Sequence, residues 1–304
     1  MDLPLVSIVV PCYNAETNLE KCLESLYRQT YPNCEIIFID DGSTDKSLEI
    51  LKRQGERIQF QTGPNKGANA ARNAGLTLAT GKYVKFFDAD DVMMSDALAI
   101  QVEGMEKLES HQFIYGDVVD LDTQKSVFDK IHTTCEVTRD EMIYQLFSEN
   151  ILTGCPLHNR QFLTDNNIRF DETLLSSQEW DFHTTIAIAG GVFVYQPALI
   201  YQYRNHSDPD RINQMMKDPK VKLEQMRRKY TTSCKKIIAA YNGEVTHPPT
   251  KIEMRRRLGK LEIKLAKAKS TDKARDIRKI RSKIDPPWRL LLTDIRYFPR
   301  RYSK

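Results

Sequence analysis

Long apolar runs are missing from this 304-residue chain: its longest apolar stretches, such as Val6 to Val10 and Ile186 to Ala189, fall far short of the roughly 20 residues a membrane-spanning helix needs. Cysteine is sparse. Cys12, Cys22, Cys34, Cys135, Cys155 and Cys234 are scattered, with no C-x-x-C pair, so neither a zinc site nor a disulfide framework is expected and the thiols read as reduced. No basic segment followed by an apolar one opens the sequence; Met1-Asp2-Leu3-Pro4 runs straight into Leu5-Val6-Ser7-Ile8-Val9-Val10, which predicts an unsecreted, cytoplasmic chain. Also lacking is a Gly-rich, Lys-containing phosphate loop after the first strand. Pro11-Cys12-Tyr13-Asn14 stands there instead, which argues against a nucleotidyltransferase.

With 40% hydrophobic and 28% charged residues, the chain has ordinary globular composition and is long enough for one large domain and an appendage. The net charge of +4 conceals an asymmetry. Residues 217–304 hold 27 Lys and Arg against 9 Asp and Glu, whereas residues 1–216 hold 18 against 32. Two different tasks are thus expected of the two parts.

The first part alternates strand and helix signals, the pattern of a mostly parallel sheet with helices on both faces. Strands are expected at Val6–Val10, Glu35–Ile39, Arg57–Gln61, Tyr83–Phe87, Phe113–Val119 and Val192–Tyr203. Helices are expected at 18–29 with Thr17 as cap, after Ser43 or Thr44, at Ala68–Leu78 before Gly81, from a Ser95 cap to about Leu108, and from Ser176 or Ser177 through Ala189. Residues 120–175 are less regular. The main domain is expected to close near Asn213. A basic helix is then expected from Lys251 to Ile284, about 50 Å long if unbroken, with Met254, Leu258, Leu261, Leu265 and Ala268, then Ile277, Ile280 and Ile284, in four-three spacing; Gly259 or Ser270-Thr271-Asp272 can interrupt it.

Asp88-Ala89-Asp90, at the end of the run Tyr83–Phe87, is the feature that bears most on chemistry. Two carboxylates one residue apart at a strand end can hold a divalent cation whose open positions take nucleotide phosphate oxygens, although Asp is also common in turns after strands. Open α/β sheets bind ligands beyond the carboxyl ends of their strands, and two more such ends are expected to converge there: Pro11-Cys12-Tyr13-Asn14 and Asp40-Asp41-Gly42-Ser43. Tyr13 can stack on a base, Asp41 can accept from a base imide N–H, Asp88 can meet ribose, Asp90 can hold the metal, and Arg72 can add a charge-assisted contact. The competing reading makes Asp40–Ser43 a turn and helix cap.

In its ordered blocks the chain resembles the family-2 inverting glycosyltransferases of GT-A fold. The blocks are Val6–Asn14, Leu23-Glu24-Ser25-Leu26 with Gln29-Thr30-Tyr31, Asp40–Asp45, Asn65-Lys66-Gly67 with Ala71-Arg72-Asn73, and Phe87-Asp88-Ala89-Asp90-Asp91. The resemblance implies an α/β fold, a GT-A-type Rossmann-like sandwich with a mostly parallel central sheet followed by a basic α-helical C-terminal region. Residues 1–213 would be the catalytic domain, with a nucleotide-binding half to about residue 91 and an acceptor half from 92, and residues 214–304 the helical region. It implies a nucleotide-sugar donor, expected to be UDP-linked, held by Pro11, Tyr13, Asn14, Asp41, Asn65, Gly67, Arg72, Asp88, Ala89 and Arg204. Asp90, with Asp88, would bind Mn2+ or Mg2+.

Inverting transfer needs a base for the acceptor hydroxyl. Relatives commonly carry a Glu-Asp pair at a helix start, and Ser177-Gln178-Glu179-Trp180-Asp181 resembles it with Gln178 replacing the first acid, which leaves Glu179 at the base position and Asp181 as the alternative. Residues two apart on a helix diverge by about 200°, so both cannot face the site. Trp180 reads as core or as a surface for a sugar. Tyr201–Ser207 resembles the Tyr-x-x-Arg-x-His segment that closes many relatives; Arg204 can neutralise the leaving group, and His206 can be a metal ligand, a diphosphate donor or a structural residue.

The basic region points to an anionic surface. Trp288-Arg289-Leu290-Leu291-Leu292 and Ile295-Arg296-Tyr297-Phe298 interleave apolar groups and arginines as interfacial anchors do, so peripheral attachment at the inner face of the cell membrane is expected. A solvated face, a homodimer seam through the C-terminal helices and a nucleic-acid contact compete with it. No nucleic-acid recognition motif is present, so nucleic acid is not expected as a partner. The sequence is therefore expected to encode a hexosyl- or N-acetylhexosaminyltransferase acting on a glycan or lipid-linked glycan in polysaccharide or lipopolysaccharide assembly. The other-class alternative is a noncatalytic nucleotide-sugar-binding or membrane scaffold protein.

Overall fold

A computed structural model describes residues 3–127, 137–148, 151–176, 178–205 and 217–285. The Val-rich run at the start forms β1 (Val6–Cys12), buried along almost its whole length, as a strand covered on both faces of a parallel sheet must be. It is followed by α1 (Leu19–Tyr27), β2 (Cys34–Asp40), α2 (Ser47–Lys52), β3 (Gln59–Thr62), α3 (Ala68–Leu78) and β4 (Tyr83–Phe86). These strands form a sheet of order β3-β2-β1-β4-β7, parallel except for the antiparallel pairing of β4 with the two-residue β7 (His158–Asn159). Leu19, Cys22, Leu23 and Leu26, at helical spacing, turn one face of α1 inward.

The second layer contains β5 (Val92–Met93), α4 (Ala97–Met105), β6 (Gln112–Asp120), α5 (Arg139–Ser148), α6 (Arg160–Asp165), α7 (Gln178–Ile188) and β8 (Val192–Tyr203). β5, β8 and β6 form a smaller sheet in that order, with β8 parallel to β6 and antiparallel to β5. Its register carries β8 back so that Gln202 pairs with Val92, next to the Asp88–Asp91 turn. An aromatic cluster beneath the strands includes Phe86, Phe170 and Phe182, the last two stacked at 3.9 Å.

Several local expectations are corrected. α2 is not capped by Ser43 or Thr44: its first backbone amide, Ser47 N–H, donates to Asp45 Oδ1 at 2.9 Å. Asn18 and Asp96, rather than Thr17 and Ser95, are the boundary residues of α1 and α4. α5, β7 and α6 arise in the stretch that looked irregular. The basic region is interrupted close to the expected Ser270-Thr271-Asp272, whereas Gly259 does not break its helix. It forms α8 (Pro219–Ala240), α9 (Pro248–Lys267) and α10 (Thr271–Arg281), with the break at Ala268–Ser270, where Lys269 takes φ +57°.

That break folds α10 back on α9. Met254, Leu258, Leu261, Leu265, Ile277 and Ile280 are buried within the chain, so the seam expected to offer a dimer contact is consumed internally, and Ala268 is exposed instead. Glu262 is fully buried between Arg281 at 2.5 Å and Arg278 at 3.3 Å, which locks the hairpin. α8 packs on α7 and α9 packs on α5 and α8, so the basic helices lie against the acceptor half. No described helix is long and apolar enough to cross a membrane. Trp288–Phe298 and His206 lie outside the described residues.

Candidate active site

The carboxyl ends of β1, β2 and β4 converge as parallel neighbours, Cys12 pairing with Asp40 and Val9 with Phe86. The loop after β1 is fastened to the loop after β2. Asn14, at φ +46°, accepts from Thr44 N–H at 2.8 Å, and its own N–H donates to Ser43 Oγ at 3.1 Å. Asn14 is thus a brace between two loops, while the Tyr13 ring beside it is 46% exposed and free to meet a ligand.

Asp40 and Asp41 divide the two readings of their loop. Asp40 holds the turn, accepting from Thr62 Oγ1 at 2.6 Å and Ser43 N–H at 3.3 Å. Asp41 receives Lys66 N–H on Oδ1 at 2.7 Å and Gly67 N–H on Oδ2 at 2.8 Å, which pins the Asn65–Gly67 loop at the start of α3. Each oxygen keeps a second lone pair for a donor from a ligand. Gly42, at φ +74°, leaves no room for a side chain: a Cβ there would come 2.9 Å from Asn65 N. Gly67, at φ +93°, begins α3.

Arg72 on α3 is the hub of the site. Its Nη2 donates to Asp88 Oδ1 at 2.7 Å and its Nη1 to Gln178 Oε1 at 2.7 Å and Asn69 Oδ1 at 3.3 Å, with the guanidinium 5.4 Å from the Phe170 ring centre. The same helix fastens the lead-in to α7: Asn69 Nδ2 donates to the carbonyls of Asp171 and Leu174, and Asn73 exchanges hydrogen bonds with the Phe170 backbone. Ala89 is buried within the Asp88–Asp91 turn.

In that turn Asp91 accepts from Arg204 N–H at 2.8 Å, and Arg204 Nε donates to the carbonyl of Asp90 at 3.0 Å. Burial, then the neighbouring charges of Asp90 and Asp88, push the Asp91 carboxyl well above the usual range. Arg204 Nη2 is buried without a hydrogen-bond partner among the described residues. Asp90 is half-buried. No group of three or more His, Cys, Asp or Glu among the described residues is arranged to hold a metal ion by itself.

Along α7 from Gln178 to Thr184, every residue is buried except Glu179. Trp180 is core: its Nε1 donates to the Leu146 carbonyl at 2.6 Å and its ring meets Phe147 and Tyr230. Asp181, weighed above as an alternative base, is instead fully enclosed, accepting from Ser233 Oγ at 2.8 Å and pairing with Lys236 at 2.6 Å. Lys229 of α8 lies 4.8 Å from the Trp180 ring centre; burial pulls its pKa down to about 8, and the Glu179 charge opposes that shift. Sequence reasoning missed Asn69, Ser233 and Lys236, and gave Gln178 no role; only Asn73 stood in a recognisable block.

Residues 7–156 match the family described as Glycosyl transferase family 2. Through this segment the chain belongs to that family. An uncharacterized glycosyltransferase of Haemophilus influenzae is 45% identical over 115 residues, covering 36% of this chain and 45% of that protein. EpsJ of Bacillus subtilis, an uncharacterized glycosyltransferase, is 32% identical over 196 residues, 60% of this chain and 55% of its own length. WfgD of Escherichia coli, a UDP-Glc:alpha-D-GlcNAc-diphosphoundecaprenol beta-1,3-glucosyltransferase, is 33% identical over 157 residues, 51% and 59%. The chain thus spans about half the length of these curated relatives. Among solved structures, residues 1–349 of TarS from S. aureus superpose with a TM-score of 0.65 at 19% identity, over 91% of this chain and 87% of that one. The likeness establishes the fold: mixed α/β with a mostly parallel central sheet, followed by helices. TarS 1–349 has also been solved with UDP-GlcNAc; that structure gives a TM-score of 0.61.

Proposed function

We propose that the chain transfers a sugar, with inversion, from a UDP-linked donor to a glycan or lipid-linked glycan acceptor, with Glu179 as the general base. The observation that carries this reading is that Glu179 alone is left accessible among residues 178–184, on a helix tied through Gln178 and Arg72 to Asp88 at the donor crevice. Glu179 takes the proton of the acceptor hydroxyl as its oxygen bonds to the anomeric carbon, and the bond from that carbon to the diphosphate breaks on the opposite face. Asp41 accepts the base imide N–H and the exposed Tyr13 ring packs on the base. Asp88 meets the ribose, while Arg204, whose Nη2 has no hydrogen-bond partner among the described residues, stabilises the charge that develops on the leaving diphosphate. The UDP-GlcNAc complex of TarS and the UDP-Glc donor and diphosphoundecaprenol-linked acceptor of WfgD support the substrate classes.

The donor set fits Mn2+ or Mg2+ of the kind held by one or two carboxylates and completed by substrate phosphates, with Asp90 as the protein ligand. Asp88 and Asp90, both partly exposed at the end of β4, bring two carboxylates together there, and a cation would relieve their repulsion. When bound, the metal would neutralise charge on the diphosphate. The site does not require a third protein carboxylate.

The decisive test is Glu179→Gln assayed by UDP release with Mn2+ across a donor panel. Turnover should fall by roughly 10²–10⁴-fold, the usual worth of a general base, with UDP-sugar affinity in calorimetry nearly unchanged. Retained turnover would remove Glu179 from the mechanism; chelation by EDTA with recovery on Mn2+ addition tests the metal. The excess of basic residues in 217–304 further supports peripheral attachment to anionic membrane. Cosedimentation with anionic liposomes should weaken on deletion of residues 286–304; equal binding would sink the attachment.

A further inference from the structure

We propose that Ser233 and Lys236 of α8 are positioning residues that act through Asp181 to hold α7, and with it Glu179, in the orientation for proton removal. The proposal rests on the reading of Glu179 as base. Asp181 is completely buried, yet both its oxygens are engaged from outside its own helix: Oδ1 by the buried Ser233 hydroxyl at 2.8 Å and Oδ2 by Lys236 Nζ at 2.6 Å. Lys236 Nζ also reaches Thr185 Oγ1 at 3.2 Å, one turn farther along α7, and Thr185 Oγ1 donates back to the Asp181 carbonyl at 2.9 Å. Two successive turns of α7 are thus fastened to one lysine.

Packing alone would not require this. Trp180 already supplies the apolar contact between α7 and α8 through Tyr230, and an apolar pair can slide or rotate where a charged hydrogen-bonded pair cannot. Removing an ionised carboxylate from water carries a penalty that directional partners must offset, so such a pair is weak evidence for stability and better evidence for a specified geometry. The first residue of α7, in the same turn as Asp181, is held in the same manner, Gln178 accepting from Arg72. Gln178 and Asp181, three residues apart, lie within about 60° of each other on the helix, while Asp181 and Glu179 diverge by about 200°. Fixing the first sector therefore sets where Glu179 points. The basic helical region is, on this account, part of the catalytic apparatus as well as a candidate for surface attachment.

The test uses the full chain. Lys236→Met alone strands a buried carboxylate and can fail to fold, so it is paired with the double variant Asp181→Asn with Lys236→Met, which buries no unpaired charge, and with Ser233→Ala and Lys236→Arg. Thermal unfolding is followed for each. The double variant should lose about 10-fold or more in kcat, since misplacement of a catalytic group by about 1 Å can cost up to 10²-fold, while donor KM and UDP affinity stay within about twofold. Ser233→Ala should lose about threefold, and Lys236→Arg should restore most of the rate. A purely structural role would lower the unfolding temperature and leave kcat per folded enzyme unchanged, and that result, in the double variant or in Ser233→Ala, overturns the proposal. Glu179→Gln run in parallel separates the two claims. If it turns over normally the base assignment fails; if it is inactive while the double variant matches the parent, only the positioning role fails.

Discussion

Arg72 joins Asp88 at 2.7 Å through one terminal nitrogen and Gln178 at 2.7 Å through the other, so a single guanidinium spans the donor carboxylate and the helix that presents Glu179. A planar fork serves two partners at fixed angles, which a lysine ammonium on a flexible stem cannot reproduce. Arg72→Lys is expected to leave the fold intact and lower kcat/KM by about 10²-fold, corresponding to about 2.7 kcal/mol of lost transition-state stabilisation. Steady-state kinetics with a UDP-sugar, beside a circular dichroism spectrum, check it; a loss under threefold would deny Arg72 a coupling role.

Asp41 binds two backbone amides at once, and only a carboxylate can accept on both oxygens. Asp41→Asn places an NH2 against one of those amides. It should displace the Asn65–Gly67 loop and weaken UDP binding by at least about 10-fold, the worth of one charge-assisted hydrogen bond. Gly42→Ala should act in the same direction, since its Cβ would press on Asn65 N at 2.9 Å. Calorimetric titration of UDP reads both. Unaltered affinity in Asp41→Asn would detach this carboxylate from the donor.

These two sites differ in how far they were legible. Asp41, Asp88 and Glu179 sit at strand ends or a helix start, and Arg72 one turn into α3, where local patterns point to them: the buried run Val6–Val10, the Ala-rich α3, the acidic start of α7. The partners of Asp181 lie 52 and 55 residues away on a helix whose own sequence speaks only of charge, so nothing local marks Ser233 or Lys236. β5 and β7, two residues each, are too short to carry a period and exist because neighbouring strands offer free edges. The fold of the basic region turned on one short break at Ala268–Ser270. Its apolar spacing was readable, but whether it served another chain or this one was a tertiary question.

His158 and His183 stack at 5.9 Å within the aromatic core, both fully buried or nearly so. Burial holds His183 down to about 3 and His158 well below the ordinary imidazole value, so both are neutral in the folded chain. Above about pH 6.5 the folded and unfolded states are alike at these rings, and their contribution is fully present. As pH falls from about 6.5 toward 3 the unfolded chain takes up protons that the folded chain refuses, and stability declines by up to about 1.4 kcal/mol per pH unit for each ring. Denaturant unfolding at pH 7.5, 6.0 and 5.0 should trace this loss, and His183→Phe should flatten it. A slope that His183→Phe leaves untouched would place the acid sensitivity elsewhere.

Glu262 accepts from Arg281 at 2.5 Å and Arg278 at 3.3 Å with no exposure of its own, and Arg281 in turn holds Asp285. Two arginines share one buried carboxylate, so removal of that carboxylate leaves Arg281, itself buried, with an uncompensated part of its charge. Loss of one partner of a buried pair typically costs about 3–5 kcal/mol, far more than loss of an exposed pair. Glu262→Ala is therefore expected to lower the unfolding temperature by roughly 6 °C or more, at about 2 °C per kcal/mol for a chain of this size. The exposed pair of Arg275 with Asp272 on the same hairpin provides the internal control, and Asp272→Ala should change the midpoint by less than about 2 °C. Because the main contacts of α9 and α10 are with α5, α8 and each other, UDP affinity at low temperature should survive Glu262→Ala. Equal melting of the two variants would mean that water reaches Glu262, and that the hairpin is held by its apolar seam alone.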